Sequence, residues 1–191
     1  MNALIDNPEA LANGYLAMAQ MFSYPDADAW QRLREYGLVG PELDRETLEA
    51  DYLTAFEMGR GGPAVPLYEG LNRPDQGRDG ILQELLRFYE FFDARLNPDE
   101  REYPDHLATE LEFLGWLCLQ AHAACRDGRD AQAFYRAERD FLDRHVGAWV
   151  PEFNRRLTAT DTAYGEYSAA LVELVQQHRA HLDELTNGLE A

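Results

Sequence analysis

Residues 102–121 read EYPDHLATELEFLGWLCLQA, and this stretch decides the fold class. Leu107, Leu111, Leu114, Cys118 and Ala121 recur at steps of four, three, four and three, which is one face of an α-helix. Pro104 suits the first turn, where its missing N–H would go unpaired in any case. The same period continues on both sides. Upstream, Asn7–Pro8 is a cap followed by a first-turn proline, and Leu11, Tyr15, Met18 and Phe22 follow before Tyr24–Pro25 stops the helix. A short second helix carries Trp30 and Leu33 and ends near Gly37. Asp44 caps a third, with Leu48, Tyr52 and Phe56 inward and Gly59 as its stop. A fourth, from about 78 to 96, turns Ile81, Leu82, Leu85, Phe88, Tyr89 and Phe92 to one side and ends at Asn97–Pro98.

Downstream of the opening stretch, residues 126–129 contain a glycine turn. The next helix faces Phe134, Phe141 and Leu142 inward and continues or bends through His145, Trp149, Pro151 and Phe153, with a kink expected at the proline. Asp161 or Thr162 caps the last helix, lined by Tyr164, Tyr167, Leu171, Leu174, Val175, His178 and Leu182. No segment alternates with a period of two for long enough to make a strand. The expectation is an all-α protein, a single compact helical-bundle domain over 1–191. Residues 59–76, GRGGPAVPLYEGLNRPDQ, interrupt it as a long Pro/Gly-rich loop read as non-helical, yet Val65, Leu67, Tyr68 and Leu71 are too apolar for a plain solvated tether.

Composition narrows the function. At 191 residues the chain can bury roughly 70% of its extended surface, and 46% hydrophobic residues are too many for a disordered chain despite 35 acids against 17 bases and a formal charge of -18. A polyanion needs a basic stripe, so nucleic acid is disfavoured as partner. Every basic residue is arginine. A P-loop lysine, a Schiff-base lysine and a pyridoxal anchor are therefore excluded. Cys118 and Cys125 stand about 10.5 Å apart along one helix and cannot bridge each other. No stretch approaches the roughly 18 apolar residues of a membrane span, and the N-terminus lacks the pattern of a secretory signal, so stable membrane insertion is not expected and a cytoplasmic location is.

For chemistry, none of the five histidines has the glutamate three residues earlier that marks helical di-iron sites. His106 and Glu110 are an i, i+4 pair that could serve a helical metal-dependent enzyme, but one pair leaves a metal short of ligands. No metal or other cofactor is expected. His178 and His181 fall on a helix rich in Gln, Asp and Glu and read as a solvated face. Cys118 reads as a small core residue and Cys125 as an exposed thiol without activation. The stretch 99–112 is denser in information, with six acids against one arginine. Helical geometry from Pro104 onward puts Asp105, Thr109, Glu112 and Trp116 on one stripe and His106, Glu110 and Phe113 on the next, so carboxylates alternate with aromatics on a half-exposed side. At such a helix start, Asp105→Asn should cost no more than the dipole contribution, about 0.3 to 1 kcal/mol. A solvated acidic face and a binding site both remain open on spacing alone, as does a generic acidic scaffold for a partner helix.

In order and spacing, five segments resemble one family, the cytoplasmic redox-enzyme maturation chaperones of the TorD, DmsD and NarJ type. YLAMAQMFSYPD at 15–26 is similar to the family's first helix and its stop, and PAVPLYEG at 63–70 to its proline-rich loop with an exposed tyrosine. EYPDHLATELEFL at 102–114 resembles its most characteristic motif, Pro-Asp-His at a helix start. FLDRHVGAWVPEF at 141–153 and YGEYSAALVELV at 164–175 resemble its later aromatic segments. Val65-Pro66-Leu67 departs from the pattern, because many members carry a polar residue there.

The resemblance implies no catalysis. It implies a chaperone, monomer or homodimer, that binds the N-terminal signal of a molybdenum oxidoreductase's catalytic subunit, in the dimethyl-sulfoxide-reductase superfamily. That signal is often of the twin-arginine type, and it is held until the cofactor is inserted. The binding residues it implies are Pro104, Asp105 and His106, together with Tyr68, Glu69 and Trp116. An arginine pair followed by an apolar run needs carboxylates beside an apolar groove, and Asp105, Glu110 and Glu112 beside Phe113 and Trp116 supply that combination.

Overall fold

In the computed structural model, residue 5 and residues 7–58, 64–95 and 103–187 are described. Asn7 opens α1 (Pro8–Met21) by accepting the N–H groups of Glu9 and Ala10 at 3.1 and 3.4 Å. Asp26 caps α2 (Ala27–Glu35) through Ala29 N–H at 2.8 Å, and Asp44 caps α3 (Arg45–Tyr52) through Thr47 N–H at 2.7 Å. α3 continues into a π-helical turn, Leu53–Met58; the stop expected at Gly59 lies outside the described residues. Then come α4 (Glu69–Asn72), a 3₁₀ turn (Pro74–Gln76), α5 (Arg78–Phe91), α6 (Leu107–Arg126), α7 (Gln132–Arg144), α8 (Val146–Leu157), a 3₁₀ turn (Thr158–Thr160) and α9 (Tyr164–Asn187). The described residues contain no strand, and the fold is all-α as the period required.

α6 is the spine of the core. Leu107, Leu111, Leu114, Leu117, Cys118 and Ala121 are buried along it, and α1 lies against its length. The two helices meet at Gly115, where a Cβ would stand 3.2 Å from the Ala12 carbonyl. α7 packs on α6 and reaches α8 and α9, which pair with each other. Phe22, Tyr52, Phe56, Phe153 and Tyr164 interlock edge to face where the helical turns after α3 meet α8 and α9. Trp149 is fully buried beside Phe153.

Four local expectations are corrected. α5 ends at Phe91 rather than near 96, because Asp93 takes a left-handed conformation (φ 55°). The N–H groups of Ala94 and Asp93 then return to the carbonyls of Tyr89 and Glu90, a helix stop that needs no proline. Asn97 and Pro98 lie outside the described residues. The break between α7 and α8 falls at His145 (φ -118°, ψ -103°), and Pro151 sits within α8 without ending it. Gly147 makes the turn possible, since a Cβ there would lie 2.4 Å from the Leu142 carbonyl oxygen. The side-chain acceptor at the start of α9 is Asp51 of α3, which takes Ala163 N–H at 2.9 Å, rather than Asp161 or Thr162. Within the loop read as non-helical, residues 64–68 run extended, but 69–72 and 74–76 are short helical turns.

Candidate functional site

The helix carrying the Pro-Asp-His sequence begins three residues later than expected. Pro104 and Asp105 form a turn, and His106 is an extended residue (φ -76°, ψ 137°) whose Nδ1 accepts Ala108 N–H at 3.2 Å, so the imidazole caps α6. The cause is the facing stretch of loop. Glu69 N–H bonds the Asp105 carbonyl and Leu107 N–H the Leu67 carbonyl, both at 2.8 Å, an antiparallel bridge between Tyr68 and His106. An extended residue pinned in this way cannot also be helical. The loop and the start of α6, which the sequence separates by more than thirty residues, are thus one structure.

Asp105 is fully buried beneath this bridge. Its Oδ2 accepts Gly70 N–H at 3.2 Å and Arg78 Nε at 3.0 Å, and its Oδ1 accepts Arg78 Nη2 at 3.1 Å. The two-toothed pairing keeps the guanidinium firmly charged. Gly70 is required for it, because a Cβ there would stand 2.4 Å from Arg78 Cγ. The guanidinium lies over the rings of Tyr68 and Tyr103 at 5.4 and 4.9 Å. Tyr68 also meets His106 edge-on at 5.1 Å.

A second buried carboxylate, Glu69, accepts Arg73 and takes His145 Nδ1 at 2.9 Å on Oε2. Arg73 also donates to the Arg144 carbonyl at 2.6 Å, which fastens the loop to the α7–α8 break. Glu110, equally buried, accepts Trp149 Nε1 at 3.2 Å on Oε2, while its Oε1 has no hydrogen-bond partner among the described residues. Burial, with the charge of nearby Glu69 second, holds its pKa well above the usual carboxyl range, so Glu110 keeps its proton far more readily than an exposed glutamate.

The expected half-exposed row of carboxylates is therefore corrected. Of that row Asp105, His106 and Glu110 are buried, as is Glu69 of the loop, while Glu112 is half-buried as expected. Asp105 left the stripe because it is not helical, and the loop covers the side it was expected to show. Pro104, Glu112, Trp116 and Tyr68 are half-buried. Pro104 accepts the Tyr89 hydroxyl at 2.8 Å through its carbonyl, and the Glu112 charge is near enough to help raise the Tyr89 pKa, behind burial and three other carboxylates. Trp116 stacks on Phe113. The exposed residues are Tyr103 (55%) and Leu71 (49%), with the Arg78 side chain a third exposed. The surface is aromatic and apolar, with acids beneath it.

Sequence reasoning missed Arg78, Arg73, Tyr103, His145 and Trp149. Their partners lie 25 to 76 residues away, or in the case of Arg73 on a turn read as loop, and no periodicity encodes such pairing. Nor do His106 and Glu110 join a third ligating side chain among the described residues: the one is a helix cap and the other is held by Trp149. His178, read as part of a solvated face, is buried; Cys118 is core and Cys125 exposed as expected. No helix among the described residues is long and apolar enough to cross a membrane.

The comparisons agree with this architecture. The profile of the nitrate reductase delta subunit family matches residues 20–155. The chain is 74% identical over 184 residues to the selenate reductase assembly chaperone protein of Thauera selenatis, covering 96% of this chain and 95% of that one. It is 70% identical to the chlorate reductase assembly chaperone protein of Ideonella dechloratans, with the same coverage. A crystal structure of an Archaeoglobus fulgidus protein assigned to redox enzyme maturation superposes with a TM-score of 0.58 at 20% identity, over 86% of this chain and 93% of that one, which is a likeness of fold. The Thauera selenatis and Ideonella dechloratans relatives are both named as assembly chaperones, not as enzymes. With its helices in this order and the loop bridged to the Pro-Asp-His turn, the chain belongs to the nitrate reductase delta subunit family, among the TorD-type redox-enzyme maturation chaperones.

Proposed function

We propose that this chain is a cytoplasmic chaperone for a molybdenum-containing oxidoreductase of the dimethyl-sulfoxide-reductase superfamily. In this reading it binds the N-terminal, twin-arginine-type signal of the catalytic subunit and holds it until the cofactor is in place and export can proceed. Near-equal identity to the selenate and chlorate reductase chaperones supports a client that reduces an oxyanion. The observation that carries the reading is the bridge between Tyr68 and His106, which makes one surface from the two segments expected to bind.

The binding residues divide by depth. Tyr68, Pro104, Glu112 and Trp116, with exposed Tyr103 and Leu71, meet the client directly and favour its apolar run. Asp105, Glu69, His106 and Glu110 act from beneath by fixing the loop on which those residues stand. The net charge of -18 draws a cationic peptide in from a distance.

Calorimetry with a synthetic peptide of paired arginines followed by an apolar run tests this. Binding is expected, and it weakens with added salt because the long-range part is screened. Folded protein that takes up no peptide at either salt concentration would overturn the reading.

A further inference from the structure

Away from the loop surface, three side chains with metal-ligating atoms meet inside the bundle. Cys118 comes from α6, Glu138 from α7 and His178 from α9. All are buried, at 1%, 2% and 1% exposure, and one ligand atom of each lies within 4.8 Å of the other two. Glu138 Oε1 has no geometric hydrogen-bond partner among the described residues, although the side chain is deep in the protein and close enough to Cys118 to help burial raise the thiol's pKa. An unpaired carboxylate oxygen in such a place is costly and rare.

We propose that Cys118, Glu138 and His178 form a buried site for a borderline divalent transition cation of the zinc class. Sulfur, nitrogen and carboxylate oxygen are the donor set that such cations take. A thiolate and a carboxylate together carry two negative charges, so with neutral imidazole the loaded site is electrically balanced, which a buried ion requires. Bonds of about 2.0 to 2.3 Å in tetrahedral geometry set ligand atoms about 3.3 to 3.8 Å apart, with a water molecule carried in by the cation as the fourth ligand. Small side-chain rotations therefore bring the trio into range.

The second ring nitrogen of His178 is already held. Nδ1 lies 2.9 Å from the hydroxyl of fully buried Tyr15, while Nε2 faces Glu138 Oε2 at 3.1 Å. This is the arrangement of a ligating histidine, whose far nitrogen is fixed by an outer partner so that the near one presents its lone pair. On binding, the thiol releases its proton to solvent. The ring's single proton resides on Nδ1 toward Tyr15, and Nε2 bonds the cation in place of the hydrogen bond to Glu138. The cation ties α6, α7 and α9 together behind the core face of α1. No spacing rule reveals the trio, since positions 118, 138 and 178 are neighbours only in the fold.

Cobalt(II), added to reduced and chelator-stripped full-length protein, gives the test. One equivalent should produce thiolate-to-cobalt charge-transfer absorption and tetrahedral d–d bands, both removed by zinc(II), and zinc should raise the melting temperature. Cys118→Ser should abolish the charge-transfer band and the thermal shift, while Cys125→Ser, at the exposed thiol, should keep both. Tyr15→Phe keeps the ring and removes the outer partner, and should weaken zinc by about tenfold to a hundredfold. A parent protein that gives neither spectrum nor thermal shift overturns the site. So does a spectrum unchanged in Cys118→Ser, which would place the cation elsewhere. Should Cys118→Ser fail to fold, Glu138→Gln carries the same test, with a weakened cobalt spectrum expected and an unchanged one overturning the proposal.

Discussion

Asp105 grips the guanidinium of Arg78 with both oxygens, at 3.0 and 3.1 Å, across 27 residues of sequence. The aspartate is wholly buried while the arginine side chain remains a third exposed, flanked by Tyr68 and Tyr103. The pair is the pin that fastens the loop at Gly70 to the start of α6.

The first prediction follows from that pin. Asp105→Asn should cost roughly 3 kcal/mol, between a charge-assisted hydrogen bond and a broken buried ion pair. That exceeds the dipole-sized loss expected of a simple helix-start aspartate. Urea melts of the two proteins measure it, and a loss below 1 kcal/mol would mean that the fork adds little.

The second prediction concerns pH. Burial raises the folded-state pKa of Glu110 well above the 4.5 of an ordinary glutamate. Below that value both folded and unfolded chains hold the proton and nothing is lost. As pH climbs through and above it, the unfolded chain ionises freely while the folded one resists, so stability declines by up to about 1.4 kcal/mol per pH unit until the folded-state pKa is reached. Glu110→Gln removes this slope. The variant's stability relative to the parent should therefore grow from pH 4.5 toward neutrality, read by denaturant melts at several pH values.

How far the sequence reached can be read from Leu111 and Asp105, six positions apart. Leu111 and its stripe were placed in the core correctly, because burial of an amphipathic face imposes its period on the sequence. Periodicity sets Asp105 on a half-exposed stripe, whereas the structure buries it beneath the loop. A proline followed by two polar residues can open a helix or form the turn before one, and the choice was made by the distant backbone at Leu67 and Glu69. The polar seam of Asp105, Glu69 and Glu110 was invisible for the same reason. Its partners, Arg78, His145 and Trp149, are fixed by tertiary packing, which leaves no local pattern.

The third prediction contrasts two glycines. A methyl at Gly147 would press on the Leu142 carbonyl at 2.4 Å, and backbone cannot step aside as a flexible side chain can. A methyl at Gly80, in the first turn of α5, meets nothing within 4 Å. Gly80→Ala should therefore stabilise by about 0.4 to 1 kcal/mol through the unfolded chain. Gly147→Ala should lower the melting temperature by deforming the α7–α8 break. Equal and opposite shifts are not required, but matching signs would contradict the packing at His145.

The fourth prediction separates fold from binding. Leu111 is fully buried on the inward stripe of α6, and Leu111→Ala should cost about 2 to 5 kcal/mol. Peptide affinity measured well below the melting transition should barely change, since no binding side chain is touched. Tyr103 is 55% exposed and contributes chiefly its ring over Arg78 at 4.9 Å. Tyr103→Ala should cost only about 0.5 to 1 kcal/mol of stability, the worth of an exposed cation–π contact. It should nonetheless weaken capture of a peptide with paired arginines and an apolar run, because it strips the most exposed aromatic from the bridged surface. Full affinity in Tyr103→Ala and in the matching Tyr68→Ala would move the client's seat away from the loop and toward Glu112 and Trp116 farther along α6.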